Sequence, residues 1–331
     1  MSFSSETKKE LSKEIPEKKC CMLAEIAGFA RMNGSIRLMG GGRMNVSLTS
    51  EDPSIARHFK QMIQSYFDTP TSLDILQSTG FRKGKSYRIT LDDVTTGGQM
   101  LRETGLMTVR EGSNVLTEGI SQTVIRKKCC KKAYLKGLFL ASGSVSHPEK
   151  GYHLEIVCKN ENIASDIRKL MNHFGLNAKV TRRKESYIAY LKESEHIVDF
   201  MNIVGAHSQL LEFENIRIIK DMRNTANRIV NCESANLDKS VNAAGRHIAD
   251  IRLIEEKIGL RNLPDKLRSV AEIRLNHPDL SLKELAELTV PPVSKSGVNH
   301  RLAKISELAD RLREEDSVEP EQTEEKGQKR A

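Results

Sequence analysis

Apolar and polar positions follow two different periods along this chain. In the first two thirds, segments with apolar residues spaced three or four apart are separated by short segments in which apolar and polar residues alternate. The first period is typical of an amphipathic helix and the second of a strand with one buried face. The order of the segments predicts helix, hairpin, helix, hairpin, helix, followed by the same order again. Beyond Leu211 only the helical period continues.

The repeated order coincides with an internal duplication of the sequence. Residues 18–36 align with residues 127–145 at a constant offset of 109, with 8 identities in 19 positions. We therefore predict an α+β fold in which two αββαββα lobes, residues 1–108 and 109–215, precede an all-helical region.

Each lobe opens with a helix that contains a glycine. Gly28 and Gly137 occupy equivalent positions, and each is followed six residues later by a second glycine. A glycine inside a helix costs roughly 1 kcal/mol relative to alanine, and the close approach of two helix backbones is a common compensation. The two opening helices are therefore predicted to pack against each other.

The opening helices resemble a known motif. The segments IAGFARMNGS from Ile26 and LKGLFLASGS from Leu135 are similar to the LAGLIDADG helices of homing endonucleases. This resemblance implies paired helices between two lobes, above a saddle-shaped β-surface for DNA. In those nucleases the acidic residue before the last glycine binds the metal ion that activates water. Here Asn33 and Ser142 occupy these positions, so we expect a nuclease scaffold without catalytic residues, used for binding or assembly.

The cysteines raise the question of a metal site. Two adjacent pairs, Cys20 with Cys21 and Cys129 with Cys130, are related by the duplication, which could bring them together as a four-thiolate cluster. However, adjacent residues near a helix start point about 100° apart, which is poor geometry for two ligands of one ion. Free cysteine is also often a small buried apolar residue. We expect no bound metal and no cofactor.

An asparagine-rich junction, residues 216–240, leads into the helical region. A long helix that ends near Gly259 and a second helix that begins at Pro264 both carry an apolar face. These faces comprise Val241, Ala244, Ile248, Ile251 and Ile258 in the first helix and Leu267, Val270, Ala271 and Leu275 in the second.

A short capped helix, a turn and a longer helix follow. Ser281 stands three residues before Glu284, which is the pattern of a capping box, and Ser294 is placed to cap the next helix. This order predicts a helix-turn-helix at about residues 281–311, within a DNA-binding domain of residues 241–312. The apolar positions of the short helix are Leu282, Leu285, Ala286 and Leu288.

The longer helix has an apolar face and a polar face. Val298, Leu302, Ile305 and Ala309 fall within about 60° of one another when successive residues are about 100° apart. The opposite face is small, polar and basic, which suits the major groove of DNA. Residues that flank the apolar face fit phosphate contacts better than base contacts. The predicted DNA-binding residues are Ser294, Lys295, Ser296, Asn299, His300, Arg301 and Lys304.

These features together resemble the WhiA family of bacterial regulators. The resemblance extends from Ser4 to about Leu312, and the segment SKSGVNHR from Ser294 is its most specific part. It implies a nuclease-like domain without nuclease activity, joined to a helix-turn-helix similar to the promoter-reading region of sigma factors. It also implies a role in transcription control during sporulation, or in cell division and chromosome segregation.

The charge balance supports a nucleic-acid partner. The chain holds 52 Lys and Arg against 44 Asp and Glu, for a net charge of +8. Residues 313–331 have a net charge of −3 and are predicted to be a disordered tail, so the preceding residues carry +11. A basic body favours an acidic polymer, and we expect double-stranded DNA.

The location of the protein follows from what its sequence lacks. The first 19 residues have no apolar stretch typical of a secretion signal, and no apolar run in the sequence reaches the ~20 residues that span a bilayer. We expect a cytoplasmic, nucleoid-associated protein without a membrane partner, and leave a protein co-regulator open.

Alternatives to a transcription regulator and to the predicted contacts stay open at this point. One is a structural protein of the nucleoid or of division, and a less favoured one is a metal-dependent DNA endonuclease that uses acids at other positions. The helix-turn-helix could also be an ordinary helical hairpin with a solvated face. Two basic clusters could bind phosphate or be solvated: Arg126, Lys127, Lys128, Lys131 and Lys132, and Arg182, Arg183 and Lys184.

Overall fold

Two units make up the described part of the chain. The computed structural model describes residues 2–39, 44–77 and 84–318, which divide after Met222. A helix of 51 residues, His207–Lys257, begins in the first unit and ends in the second. The two units are described separately below.

The first unit contains the predicted duplication. Each copy has a long helix, a hairpin, a helix, a second hairpin and a third helix, in the predicted order. A short helix, α1 (Phe3–Leu11), precedes the first copy. That copy consists of α2 (Lys19–Asn33), β1 (Gly34–Leu38), β2 (Met44–Ser50), α3 (Pro53–Phe67), β3 (Thr71–Gln77), β4 (Lys85–Leu91) and α4 (Val94–Glu103).

The second copy follows an additional hairpin that the sequence pattern did not predict. That hairpin pairs β5 (Met107–Arg110) with β6 (Ser113–Leu116). The second copy consists of α5 (Lys128–Ser142), β7 (Gly143–Val145), β8 (Leu154–Cys158), α6 (Glu161–Asn172), β9 (Lys179–Arg183), β10 (Ser186–Leu191) and α7 (Ser194–Val204).

Each copy forms a four-stranded antiparallel sheet. The strand orders are β1-β2-β4-β3 and β7-β8-β10-β9, so the two sheets have equivalent topology. In β2, Val46 and Leu48 are buried and alternate with partly exposed Ser47 and Thr49, as expected for a sheet with helices on one face.

Helices α2 and α5 cross with their backbones in close contact. A Cβ atom added to Gly28 would lie 2.4 Å from the carbonyl oxygen of Tyr134, and one added to Gly137 would lie 2.1 Å from that of Glu25. No side chain fits at either position, which confirms the predicted packing of the two opening helices.

A buried group of charged residues lies beside this crossing. Glu25 is fully buried, and its Oε1 atom lies 2.7 Å from Nε2 of His58 and 3.2 Å from Nζ of Lys136. Lys136 also donates a hydrogen bond to the carbonyl oxygen of Glu14 at 2.9 Å. The group therefore connects α2, α3 and α5 through polar contacts that the sequence pattern did not predict.

The second unit is entirely helical where it is described. It combines the end of α8 (His207–Lys257) with α9 (Asp265–Asn276), α10 (Leu282–Leu288) and α11 (Lys295–Val318), together with a short 3₁₀ turn. The capping box of Ser281 and Glu284 is present, as predicted. The fully or almost fully buried core comprises Ile251, Ile254, Leu263, Val270, Ala271, Leu285, Ala286, Val298, Leu302, Ile305 and Ala309.

Three predictions about the helical region are wrong. Val241 is 60% exposed, because the core of this unit begins further along α8, at Ile251. Leu288 is 45% exposed, because it is the last residue of α10. The disordered tail does not begin at Arg313: α11 continues to Val318, and the Arg313 guanidinium forms ion pairs with two carboxylates. Residues 319–331 lie outside the described part of the chain.

Candidate nucleic-acid interface

Helix α11 begins at the predicted cap. The backbone N–H of Gly297 donates to the Ser294 hydroxyl oxygen at 3.1 Å, which satisfies one of the free N–H groups of the first turn. Its apolar face is fully buried at Val298, Leu302, Ile305 and Ala309. The rotation of α11 about its axis is therefore fixed by packing, and so is the direction of its opposite face.

The opposite face of α11 is exposed and polar. Arg301 is half-buried at its flank, and the other predicted DNA-binding residues are exposed. Ser296, His300 and Lys304 lie on the side away from the core, and Asn299 lies at the edge of this group. We call Ser294, Lys295, Ser296, Asn299, His300, Arg301 and Lys304 the polar face of α11.

Two charged residues that sequence reasoning missed hold this arrangement. Arg274 is 2% exposed and donates to the carbonyl oxygens of Pro278 at 3.2 Å and Leu280 at 2.7 Å, in the loop before α10. Burial lowers the pKa of its guanidinium. Asp250 on α8 accepts a hydrogen bond from the Ser306 hydroxyl at 2.6 Å. The sequence did contain a signal for this role, because Arg274 is a charged residue within the apolar face of α9.

One of the two basic clusters in the lobes is partly neutralised. Lys184 lies in the β9–β10 turn in the left-handed conformation, with φ of 57°. Arg183 lies 3.4 Å from a carboxylate oxygen of Glu155 on the neighbouring strand β8. In the other cluster, Nζ of Lys131 lies 3.1 Å from Nε2 of His173, a contact between two basic groups that neutralises no charge. The ion pair with Glu155 therefore offsets one positive charge of the cluster formed by Arg182, Arg183 and Lys184.

The two degenerate nuclease positions lie at the ends of α2 and α5. The side-chain amide of Asn33 donates to the carbonyl oxygen of Ala141 at 3.2 Å, so it joins one helix end to the other. The Ser142 hydroxyl oxygen is buried without a hydrogen-bond partner among the described residues. Neither side chain presents a carboxylate, which is the ligand type that a hard cation requires.

An open cavity of about 960 Å³ surrounds these helix ends, and helix α1 forms part of its wall. The Ser4 hydroxyl accepts a hydrogen bond from the backbone N–H of Val145, which ties α1 to the second lobe. Burial lowers the pKa of Lys8 to about 8, although the carboxylates of Asp52 and Glu51 oppose this shift. Asp52 also caps α3, accepting from the backbone N–H of Ser54 at 2.7 Å.

The four paired cysteines meet at the other end of the same helix pair. The Sγ atoms of Cys20, Cys21, Cys129 and Cys130 all lie within 4.8 Å of one another. The prediction that adjacent cysteines have poor geometry is therefore wrong, because the helix crossing places each pair beside the other. Burial is the main cause that raises the pKa of the Cys21 thiol to about 12 and that of Cys130 to about 11.

Among the residues that the structure describes, we find no helix with the length and apolar character needed to cross a bilayer.

Three family models match the chain, in the order of its parts. Residues 19–107 match the WhiA N-terminal LAGLIDADG-like domain, residues 131–223 the WhiA LAGLIDADG-like domain, and residues 226–309 the WhiA C-terminal HTH domain. The matched segments cover both copies of the duplication and the helix-turn-helix.

Individual relatives agree over nearly the full length. The chain is 46% identical to "Probable cell division protein WhiA" of Alkaliphilus metalliredigens, over 95% of this chain and 99% of that protein. It is 44% identical to the protein of the same name in Clostridium novyi, with the same coverage. The crystal structure of full-length DUF199/WhiA from Thermatoga maritima is similar with a TM-score of 0.56 and 26% identity, covering 94% of this chain and 99% of that one. The chain therefore belongs to the WhiA family and is a DNA-binding protein of that type.

Proposed function

We propose that this protein is a transcription regulator that reads specific sequences of double-stranded DNA with α11 and whose lobes do not cleave DNA. The observation that carries the proposal is the polar face of α11, which is exposed while the opposite face is locked in the core. The names of its relatives support a role in cell division. Regulation through DNA binding also fits a role in chromosome segregation or sporulation. It implies that the protein associates with the nucleoid in the cytoplasm.

The polar face divides into two sets by chemistry and direction. Ser296 and His300 point away from the core, and Asn299 lies at the edge of the same side. All three offer hydrogen bonds to base edges, which is the means of sequence discrimination in the major groove. Lys295 and Arg301 lie at the flanks and supply charge for phosphates. The first set is expected to determine which sequence is bound, and the second to determine how strongly any DNA is bound.

The residues at the two motif positions, Asn33 and Ser142, support a non-catalytic role of the lobes. The Asn33 amide is used in a contact between the two helices, and Ser142 is neutral. Among the described residues that line the cavity, Glu51 and Asp52 carry carboxylates, so they are the first candidates for cleavage by the alternative route, with acids at other positions. Asp52 is already occupied as the cap of α3, and the Lys8 ammonium lies close enough to affect the electrostatics of both acids.

Mapping of bound sites across the chromosome tests the regulatory proposal. We expect a limited number of sharp peaks at promoters, together with changed transcription of the adjacent genes after depletion of the protein. A diffuse coating of the chromosome without transcriptional change would instead favour a structural role in the nucleoid and contradict the proposal.

Incubation with supercoiled plasmid tests the absence of cleavage. The purified full-length protein is expected to leave the plasmid intact in the presence of Mg²⁺ or Mn²⁺, because neither helix end supplies an acidic ligand. The Glu51→Gln and Asp52→Asn variants serve as matched controls. Metal-dependent nicking that is retained through repurification and lost in either variant would show that the lobes are catalytic.

A further inference from the structure

The clustering of four cysteines arises from the architecture of the helix pair. Cys20 and Cys21 are the second and third residues of α2, and Cys129 and Cys130 occupy the same positions in α5. The crossing at the two glycines brings these helix starts together. Among the described residues, these four cysteines form the group of His, Cys, Asp or Glu side chains whose ligand atoms lie close enough together to hold one metal ion.

The distances between the sulfur atoms are close to those of a mononuclear thiolate site. A tetrahedral zinc ion with Zn–S bonds of about 2.3 Å separates its sulfur ligands by about 3.8 Å. Here all the Sγ atoms lie within 4.8 Å of one another, and those of Cys129 and Cys130 are 4.0 Å apart. All four are free thiols, so small side-chain rotations suffice to bring four ligands onto one ion.

The charges around the cluster favour an anionic centre. Both helix starts point their free backbone N–H groups and the positive ends of their dipoles toward this region. Neither helix has an acidic residue in its first turn, and the capping positions are lysines, Lys18 and Lys127. Lysine at a helix start is unfavourable unless negative charge lies nearby. A zinc ion with four thiolates has a net charge of −2 and provides that charge.

We propose that Cys20, Cys21, Cys129 and Cys130 together bind one Zn²⁺ ion as a structural site between the two lobes. Sulfur ligands in tetrahedral arrangement suit zinc and exclude hard cations such as Mg²⁺. Four protein ligands leave no open position for water, so the site stabilises the lobe interface and has no catalytic role. This inference is independent of DNA reading by α11, and it replaces the expectation that no metal is bound.

Metal analysis of the full-length protein tests the site directly. The protein is produced in zinc-containing medium and purified with a non-thiol reductant and without chelator. Mass spectrometry of the metals is expected to give about one zinc per chain. After zinc removal, titration with Co²⁺ is expected to give the visible and charge-transfer absorption of a tetrahedral cobalt thiolate, and Zn²⁺ is expected to displace it.

Cysteine variants assign the ligands. The half-buried Cys20→Ser and Cys129→Ser variants are expected to lose most of the bound zinc and to show a weaker, shifted cobalt spectrum. Cys158→Ser, in strand β8, and Cys232→Ser, on the exposed part of α8, are matched controls that should keep the zinc of the unmodified protein. The cobalt titration of the unmodified protein decides the matter even if a variant does not fold.

Three results would overturn the proposal. The first is a reduced, folded protein whose four thiols react with a thiol reagent but which retains no zinc and gives no cobalt spectrum. The second is iron with sulfide in place of zinc. The third is a disulfide between the two cysteine pairs in protein quenched with acid directly from cells, because that would make the cluster a redox pair.

Discussion

The helix pair α2–α5 and helix α11 differ in how much of their surface packing leaves exposed. At the helix pair, Gly28 and Gly137 bring backbone against backbone, and the side chain of Asn33 at the end of α2 contacts the partner helix. In α11, one face is locked in the core while the other stays polar and exposed. Packing at the crossing therefore requires glycine at two fixed positions, whereas packing in α11 constrains one face and leaves the side chains of the other face exposed.

The largest expected effect is from a side chain at the helix crossing. Gly137→Val places atoms where the carbonyl oxygen of Glu25 already lies, so the two backbones must separate. We expect a loss of at least about 5 kcal/mol in the free energy of unfolding of the first unit. Circular dichroism and calorimetry measure it. Gly98→Ala is the control in the same unit: it lies in α4, where an added Cβ atom meets the side chain of Arg102 at 3.5 Å, and it should be neutral or stabilising by about 1 kcal/mol.

Removal of the buried carboxylate should give the next largest effect. Glu25→Ala leaves Lys136 and His58 buried without their acidic partner, so we expect a loss of about 3 to 4 kcal/mol in urea unfolding. The double variant Glu25→Ala with Lys136→Met removes both charges and should be less destabilised than the sum of the single variants. Strict additivity of the two losses would show that the charges do not act as a pair.

A smaller effect should appear in the pH dependence of stability. The pKa of Lys8 is about 8 in the folded protein and 10.5 for the unperturbed group, so between these values the unfolded state binds more protons. The Lys8 contribution to stability therefore rises as pH increases through this window. Lys8→Met should remove that rise and be more stable than the unmodified protein near pH 7. Identical pH profiles for the two proteins would contradict the burial of the ammonium.

Local patterns in the sequence predicted the helix-turn-helix well. Ser281, Glu284 and Ser294 cap the helices as their spacing indicates, and the apolar period of α11 identified its buried face. The caps and the apolar period both depend on residues that lie within one or two helical turns of each other. The missed α1 had a similar signal, because Phe3, Thr7 and Leu11 are buried at intervals of four residues.

Features that depend on distant parts of the chain were not predicted. The group of Glu25, His58 and Lys136 forms only when three helices pack, and no spacing in the sequence indicates it. The geometry of a single helix argues against a cysteine cluster, but the crossing of two helices determines where the four thiols lie. The duplication identified the partner helix, but the sequence did not reveal how closely the two helix starts approach.

The division of roles between α11 and the lobes is tested most directly by titrating the full-length protein and its variants. Fluorescence anisotropy would be measured on a duplex from a mapped site and on a scrambled duplex, at several salt concentrations. Asn299→Ala and His300→Ala should each cost roughly 1 to 3 kcal/mol on the mapped site and little on the scrambled one. Arg301→Ala should weaken both and reduce the salt dependence by about one unit.

In the same titration, the double variant Arg182→Ala with Arg183→Ala, in the second lobe, is the control for loss of surface charge. It should leave the ratio of the two affinities unchanged, because these arginines lie at the end of strand β9 and not on the polar face of α11. Among these variants, only Asn299→Ala and His300→Ala should lower that ratio. Unchanged affinity of the Asn299 and His300 variants for the mapped site, with loss of discrimination in the lobe variant, would contradict it.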